Sequence, residues 1–230
     1  MSDDWTGAAD WWRTEVAGDD VFATDVMPLV DELVTVGQGP WLDLGCGEGR
    51  VMRRLGGDVV GCDVSGALLR TAAAWGPVVE CRLPQLGWIR TAALAGAYAV
   101  LVLEHIADLD ELLAQTHRVV RPGGWLVSVA NHPAFTAAGS GPVVDVDDGE
   151  LSWRWGPYLE AAETPTEVGG RVVTFHHRPV GVVLTAAART GWVLDTMVER
   201  GLGAEAVAAN PGYGGQEQLP RLVGWRWRRA

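Results

Sequence analysis

Apolar and polar positions follow two rhythms along this chain, and the change from one to the other marks the elements. Trp41-Leu42-Asp43-Leu44 is a short apolar run that breaks into Gly45-Cys46-Gly47-Glu48-Gly49, and Val59-Val60-Gly61-Cys62-Asp63 is a second run that ends on a carboxylate. Runs of this length, bounded by turn residues, read as buried strands. Val78–Arg82, Tyr98–Val102 and Trp125–Ala130 continue the series, the fourth nearly all apolar as a parallel strand covered on both faces should be. Helical spacing intervenes. One helix begins near Gly49; another is capped by Ser65 before Ala67, Leu68 and Leu69, runs to about Ala74 and stops at Trp75-Gly76-Pro77. Leu86–Leu94 reads as a poorly defined helix. Asp108 opens the clearest one, with Glu111 three residues on as a capping box. Its stripe of Leu109, Leu112, Leu113, Thr116, Val119 and Val120 must face the sheet. Pro179 starts a late helix with Val180, Val183, Leu184, Ala187 and Ala188 on one face and Gly191 past its end. Trp192–Glu199 and Arg221–Arg228 then read as strands, the second alternating Val223, Trp225 and Trp227 with Arg226 and Arg228. Strand and helix in alternation predict an α/β fold.

Two stretches fall outside this rhythm. Residues 1–39 carry Trp5, Trp11, Trp12, Phe22 and Met27 among acids and then a helical stretch from Pro28 to Val36, which reads as a cap rather than core. Residues 131–178 are interrupted by proline, glycine and the acids Asp145, Asp147, Asp148 and Glu150. Long irregular segments at the carboxyl ends of parallel strands are where open α/β sheets keep their ligands, so an acceptor-binding insertion is expected there. Trp153 and Trp155, two apart, would share one face of a strand; they either stack on a sugar or aromatic acceptor or pack as core.

Composition narrows the partners. All 18 basic residues are arginine, which excludes lysine Schiff-base chemistry, and a formal net charge of −11 argues against a nucleic-acid partner. The longest apolar run, Ala92 to Leu103, is too short to span a membrane, and no signal peptide is visible, so a cytoplasmic protein is expected. Three cysteines read as free thiols. At 230 residues a single domain is expected.

The chemistry gathers at the first two strands. Glycine at 45, 47 and 49 lets the backbone take positive φ and approach a ligand closely. On its own the loop reads equally as a tight strand-to-helix turn. A dinucleotide fingerprint would be G-x-G-x-x-G, so that a pyrophosphate could rest on the helix N-terminus; G-x-G-x-G suits a ligand without one. Asp63, at the tip of the second strand, is placed to accept hydrogen bonds from both ribose hydroxyls.

With those residues the chain resembles the class I S-adenosylmethionine (SAM)-dependent methyltransferases, in particular their small-molecule "type 11" branch. Leu42–Gly49 looks like that family's first motif, Asp63 its ribose acid and Leu83-Pro84 its third-strand landmark. Leu103-Glu104-His105 and Arg121-Pro122-Gly123-Gly124 match as well, with a weaker echo at His177-Arg178-Pro179. The resemblance implies a Rossmann-like, doubly wound, mostly parallel seven-stranded sheet with one antiparallel strand near the C-terminus. It divides the chain into an N-terminal cap (1–39), a SAM-binding half (40–130), the insertion (131–178) and a C-terminal helix and strand pair (179–230). The cofactor-binding set it implies is Asp43, Gly45, Cys46, Gly47, Gly49, Asp63, Val64 and Leu101. The family's adenine-binding Asp is absent after the third strand, so that contact falls either to Glu80 or to backbone groups at Cys81 and Arg82.

The activity implied is methyl transfer to a small-molecule acceptor by a monomer or homodimer, with no resident metal. The alternatives are a SAM-binding protein without turnover and a nucleotide-linked oxidoreductase. A hydroxyl acceptor needs a base, and histidine is the natural candidate. His105 follows the fourth strand and His132 the fifth, so both fall at the carboxyl edge of the sheet, either as bases or as structural histidines. His177 is expected on the acceptor side beside Trp153 and Trp155, and His117 on the striped helix as structural.

Overall fold

The computed structural model describes residue 7 and residues 21–149, 151–209, 214–215 and 217–230; Trp5, Trp11 and Trp12 of the expected cap lie outside them. The chain runs α1 (Met27–Leu33), β1 (Trp41–Leu44), α2 (Arg50–Leu55), β2 (Val59–Asp63), α3 (Gly66–Ala72) and β3 (Val78–Glu80). β4 (Leu94–Val100), α4 (Leu109–Val119) and β5 (Val120–Asn131) complete the first half. Next come α5 (Pro133–Thr136), β6 (Gly141–Val144), β7 (Leu151–Arg154), β8 (Ala162–Val168) and β9 (Arg171–His177). α6 (Val180–Arg189), β10 (Trp192–Arg200), α7 (Ala204–Ala209) and β11 (Leu222–Arg229) finish it.

Seven strands form one sheet in the order β10-β11-β5-β4-β1-β2-β3. β11 is antiparallel to both its neighbours, and the remaining pairs are parallel. The side-chain period of two splits β1 between two cores. Leu42 and Leu44 join Ala97, Ala99 and Leu126 under the apolar stripe of α4 and under Val183, Ala186 and Ala187 of α6. Trp41 joins Tyr98, Val127 and Val129 against α1, α2 and α3 on the other face. The chain leaves β1 for β2 on one side and reaches β4 on the other, which opens a crevice at the carboxyl ends of β1, β2 and β4.

Several elements differ from the sequence reading, each for a packing reason. α1 is core: Leu29, Val30 and Leu33 are buried, and Gly224 of β11 leaves the room, since a Cβ there would stand 2.3 Å from Leu33 Cδ1. β4 begins four residues before Tyr98, because the Trp41 ring lies across Gly96, its partner in the ladder, and covers the gap that glycine leaves. It ends at Val100; Leu101 takes φ +56° and sends the chain into a 3₁₀ turn over Leu103–His105. Residues 86–89 form turns rather than a helix, with the Arg118 guanidinium of α4 donating to the carbonyls of Leu86 and Ile89, both at 2.9 Å. The segment 131–178 is not irregular throughout: β6–β7 and β8–β9 are antiparallel hairpins outside the main sheet. The capping of α4 by Asp108 is as expected, its Oδ1 accepting from Glu111 N at 2.9 Å, while the Glu111 carboxylate accepts from Gln115.

Candidate active site

Two strand tips and a glycine turn build the first wall of the crevice. Gly45 and Cys46 both donate their N–H to Cys62 O, at 2.8 and 2.9 Å, which folds the loop after β1 over the end of β2. Gly45 sits at φ +70°, and a Cβ there would stand 2.6 Å from Val102 Cγ2, so only glycine lets this wall close on the chain leaving β4. Gly49 is the left-handed N-cap of α2 and packs on Ala72 and Trp75.

Asp63 joins the loop to the next helix. Its Oδ2 accepts from Gly47 N at 2.9 Å and its Oδ1 from Ser65 N at 2.8 Å. Burial pushes this carboxyl above its ordinary range, and the N–H groups of Ser65, Gly47 and Val64 pull it back. Asp63 thus has two partners in the ligand-free protein, because its own strand tip faces the turn it anchors.

The cleft encloses about 830 Å³, part of it open to solvent. Gly45, Gly47 and Asp63 form one wall, Val64, Ser65 and Leu68 the floor towards α3, and Cys81, Arg82 and Leu83 the side beyond β3. Leu101, Val102, His105 and Ile106 close it from the end of β4. Of these wall residues Arg82 alone carries a fixed positive charge. A second, open cleft adjoins it, sharing Val64, Cys81 and Arg82 and adding Glu80, Gln85 and Trp88. Hydrogen bonding from Cys62 holds the Cys81 thiol below its ordinary range, while the same bond, and then burial, raise Cys62.

Other residues named from the sequence lie off the main cleft. Asp43 is fully buried beneath the loop, next to Tyr98; burial drives its carboxyl well up, the Tyr98 hydroxyl opposes this, and Asp63 adds to it. Cys46 is buried too, its thiol raised by burial and then by the charges of Asp43 and Asp63. Glu80 belongs to the adjoining cleft alone.

The two histidine candidates part. His105 lines the cleft, its ring edge-on to Phe175 of β9 with centroids 4.5 Å apart. His132 is 3% exposed and lines no part of the cleft. Its Nδ1 accepts from Ala134 N at 3.0 Å, so its Nε2 carries the proton and donates to Glu199 Oε1 at 2.7 Å. Both nitrogens are therefore engaged, Nδ1 in capping α5 and Nε2 in tying the end of β5 to β10, which corrects its reading as a base. His177 is buried, with Nε2 bonded to Tyr158 O at 2.8 Å. Trp153 stacks on Phe135 with centroids 5.1 Å apart, whereas β7 ends at Arg154 and leaves Trp155 largely exposed, edge-on to Tyr158. Neither tryptophan nor His177 lines the main cleft, and the shared strand face expected of the pair does not exist. Sequence reasoning missed Ser65, Leu68, Val102 and Ile106 as walls; it read the first two as helix cap and helix face, and nothing local marks the others.

Among the described residues no three histidine, cysteine or acidic side chains converge as a metal site, and no helix is long and apolar enough to cross a membrane.

A family profile described as "Methyltransferase domain" matches residues 42–128, which holds the glycine loop, Asp63 and His105. An S-adenosylmethionine dependent methyltransferase of Mesorhizobium loti superposes with a TM-score of 0.77 at 27% identity, over 93% of this chain and 100% of that one. Residues 42–128 thus match a methyltransferase domain, and the chain has the fold of SAM-dependent methyltransferases. SAM is the cofactor of that family. A second structure, from Listeria monocytogenes, shares the fold at a TM-score of 0.77 and 20% identity, over 90% of this chain and 97% of that one. Among curated relatives, a ubiquinone biosynthesis O-methyltransferase of Mesorhizobium japonicum is 34% identical over 181 residues, 69% of this chain and 65% of its own length. One of Albidiferax ferrireducens is 32% identical over 133 residues, 50% of this chain and 51% of its own. The chain thus spans between half and two thirds of the length of these curated relatives.

Proposed function

We propose that this chain transfers the methyl group of SAM to a hydroxyl oxygen of a small-molecule acceptor. The observation that carries the reading is one walled cleft with a glycine turn and a strand-tip carboxylate on one side and an imidazole on the other. The donor set fits the cofactor. A carboxylate offers about four acceptor positions. Asp63 uses one on each oxygen for Gly47 and Ser65 and keeps others for the two sugar hydroxyls. Val64, Leu83 and Leu101 give apolar flanks for a base, and the backbone of Cys81 and Arg82, or Glu80 in the adjoining cleft, is at hand for its amino group. A single arginine among the wall residues suits a ligand without phosphates.

Bound there, SAM supplies an electrophilic methyl group on a sulfonium. The chain's own work is to hold an acceptor oxygen in line and keep water out, which contributes up to about 7–11 kcal/mol in favourable cases. His105 takes the hydroxyl proton, a contribution of about 10²–10⁴ in rate. Residues 131–178 serve as the acceptor-binding insertion, supported by the contact of Phe175 with His105. Oxygen as the acceptor atom is supported by the curated relatives, which are named as O-methyltransferases.

Calorimetric titration with SAM, its demethylated product SAH and NAD, followed by a screen of phenols and other hydroxyl metabolites for SAH release, tests the proposal. SAM and SAH should bind and NAD should not. With a working acceptor, His105→Ala should lower turnover about 10²-fold or more and leave SAM affinity in place. Binding of NAD in preference to SAM, or full turnover in His105→Ala, would sink the reading. SAH binding with no release from any acceptor would favour a SAM-responsive binding protein.

A further inference from the structure

Three backbone carbonyls of one turn gather on a single side chain from the far end of the insertion. Arg178, the residue after β9 and its His177, donates Nη1 to Leu103 O at 3.2 Å and Nη2 to Ala107 O at 2.8 Å and to Ile106 O. A fourth, longer contact of 3.5 Å runs back to His176 O. The partners lie 71 to 75 residues away in sequence and bracket His105 on both sides. That turn is a three-residue 3₁₀ segment after Leu101, which sits at positive φ; Asn131 Nδ2 donates to Glu104 Oε1 at 2.8 Å and holds it to β5, and Arg178 holds it to β9. A guanidinium holds its N–H groups in one plane at fixed angles, so a fork that meets several carbonyls sets their mutual position and not merely their charge environment. The strand before Arg178 also supplies Phe175, whose ring meets the His105 imidazole.

We infer that Arg178 is the positioning residue for His105: it clamps the β8–β9 hairpin onto the turn after β4 and so fixes the imidazole in the cleft. The inference rests on the proposed role of His105 for its consequence in catalysis, since a hairpin that carries acceptor contacts is thereby locked to the group that takes the acceptor's proton. It goes beyond that reading by naming the link between the cofactor half and the insertion. The clamp leaves Gly45, Gly47 and Asp63 untouched, none of which Arg178 contacts.

The test uses the full chain without ligand, because the clamp is present in that state. The histidine Cε1–H signals are recorded by NMR, that of His105 being assigned by its loss in His105→Gln. In the native protein the Phe175 ring should displace the His105 signal from the position of an exposed histidine. In Arg178→Met that displacement should fall by more than half while the His117 and His132 signals hold, and SAH affinity should stay within about threefold of native. Arg178→Gln, too short to reach all three carbonyls, is read by the same criterion should Arg178→Met fail to fold. An unmoved His105 signal, a shift of all three signals together, or loss of folding in both variants would overturn the inference. Failure of SAH to bind the native chain would instead sink the methyl-transfer reading, and the NMR signals would still decide the clamp.

Discussion

Asp63 shows how one side chain carries both structure and binding. The sequence marks only the binding role; the bonds from Gly47 and Ser65 add the structural one. Asp63→Ala should therefore weaken SAM binding by about 30- to 1,000-fold, the loss of one or two charge-assisted bonds, and also lower the melting temperature of the free protein. Thermal melts and calorimetry on one variant read both, and an unchanged melting temperature would mean that the loop does not depend on this carboxylate. Because burial raises the carboxyl, SAM binding should fall as pH drops through a range above that of an ordinary carboxylate, and Asp63→Asn should lose that acid limb. Asp43 carries the opposite lesson. Its folded-state value lies above its unfolded one, so the stability it contributes is present below the ordinary carboxylate range near 3.8 and is lost as pH rises. Asp43→Asn removes that cost, and its melting temperature should rise relative to native with increasing pH, the two converging in acid.

Elements in this fold are fixed by what lies against them. Gly96 looks like a weak point in a strand, yet it is where β1 and β4 lock, with three atoms of the Trp41 ring 2.6–2.8 Å from where a Cβ would stand. Gly96→Ala should cost about 1–3 kcal/mol through overpacking, read by chemical denaturation, since a buried indole cannot swing aside as a flexible side chain would. At the other end of the sheet the His132–Glu199 bond joins β5 to β10. Burial lowers the His132 value, with Glu199 acting against it, so its contribution is present above pH about 6.5 and is lost as pH falls below it. His132→Ala should accordingly destabilise the protein at neutral pH and leave SAM affinity unchanged; a loss of SAM binding without loss of stability would return His132 to the site.

At the scale of the whole molecule, a mostly parallel sheet carries a crevice whose far wall meets a hairpin outside the sheet. The cleft of Asp63 and the glycine loop is lined from the end of β1 to the turn after β4, so SAH at 100 times its dissociation constant should stabilise the chain by about 2.7 kcal/mol. Asp63→Ala should show little of that gain at the same concentration, and an equal gain in both proteins would place the ligand elsewhere. The insertion meets the crevice wall through β9, where Phe175 packs on His105, while Trp153 and Trp155 lie off the cleft.

The sequence by itself determined the parallel half of this protein. β1 and β2 announce themselves because a strand buried on both faces must be apolar, and a chain turning sharply into a helix must use glycine; the same economy exposes Asp63, the one charge at the tip of such a strand. The cap of α4 and its stripe were legible for similar local reasons, whereas the one antiparallel strand was implied by the family resemblance. Only the tertiary structure decided which histidine faces the cleft, because His105 and His132 stand at equivalent strand ends and differ in what packs against them, Phe175 in one case and Glu199 in the other. It alone moved α1 into the core, where room depends on Gly224 nearly 200 residues away in the chain, and it alone set Arg178 against the His105 turn. Contacts of that span leave no periodic trace in a sequence, since nothing local to either partner requires the other.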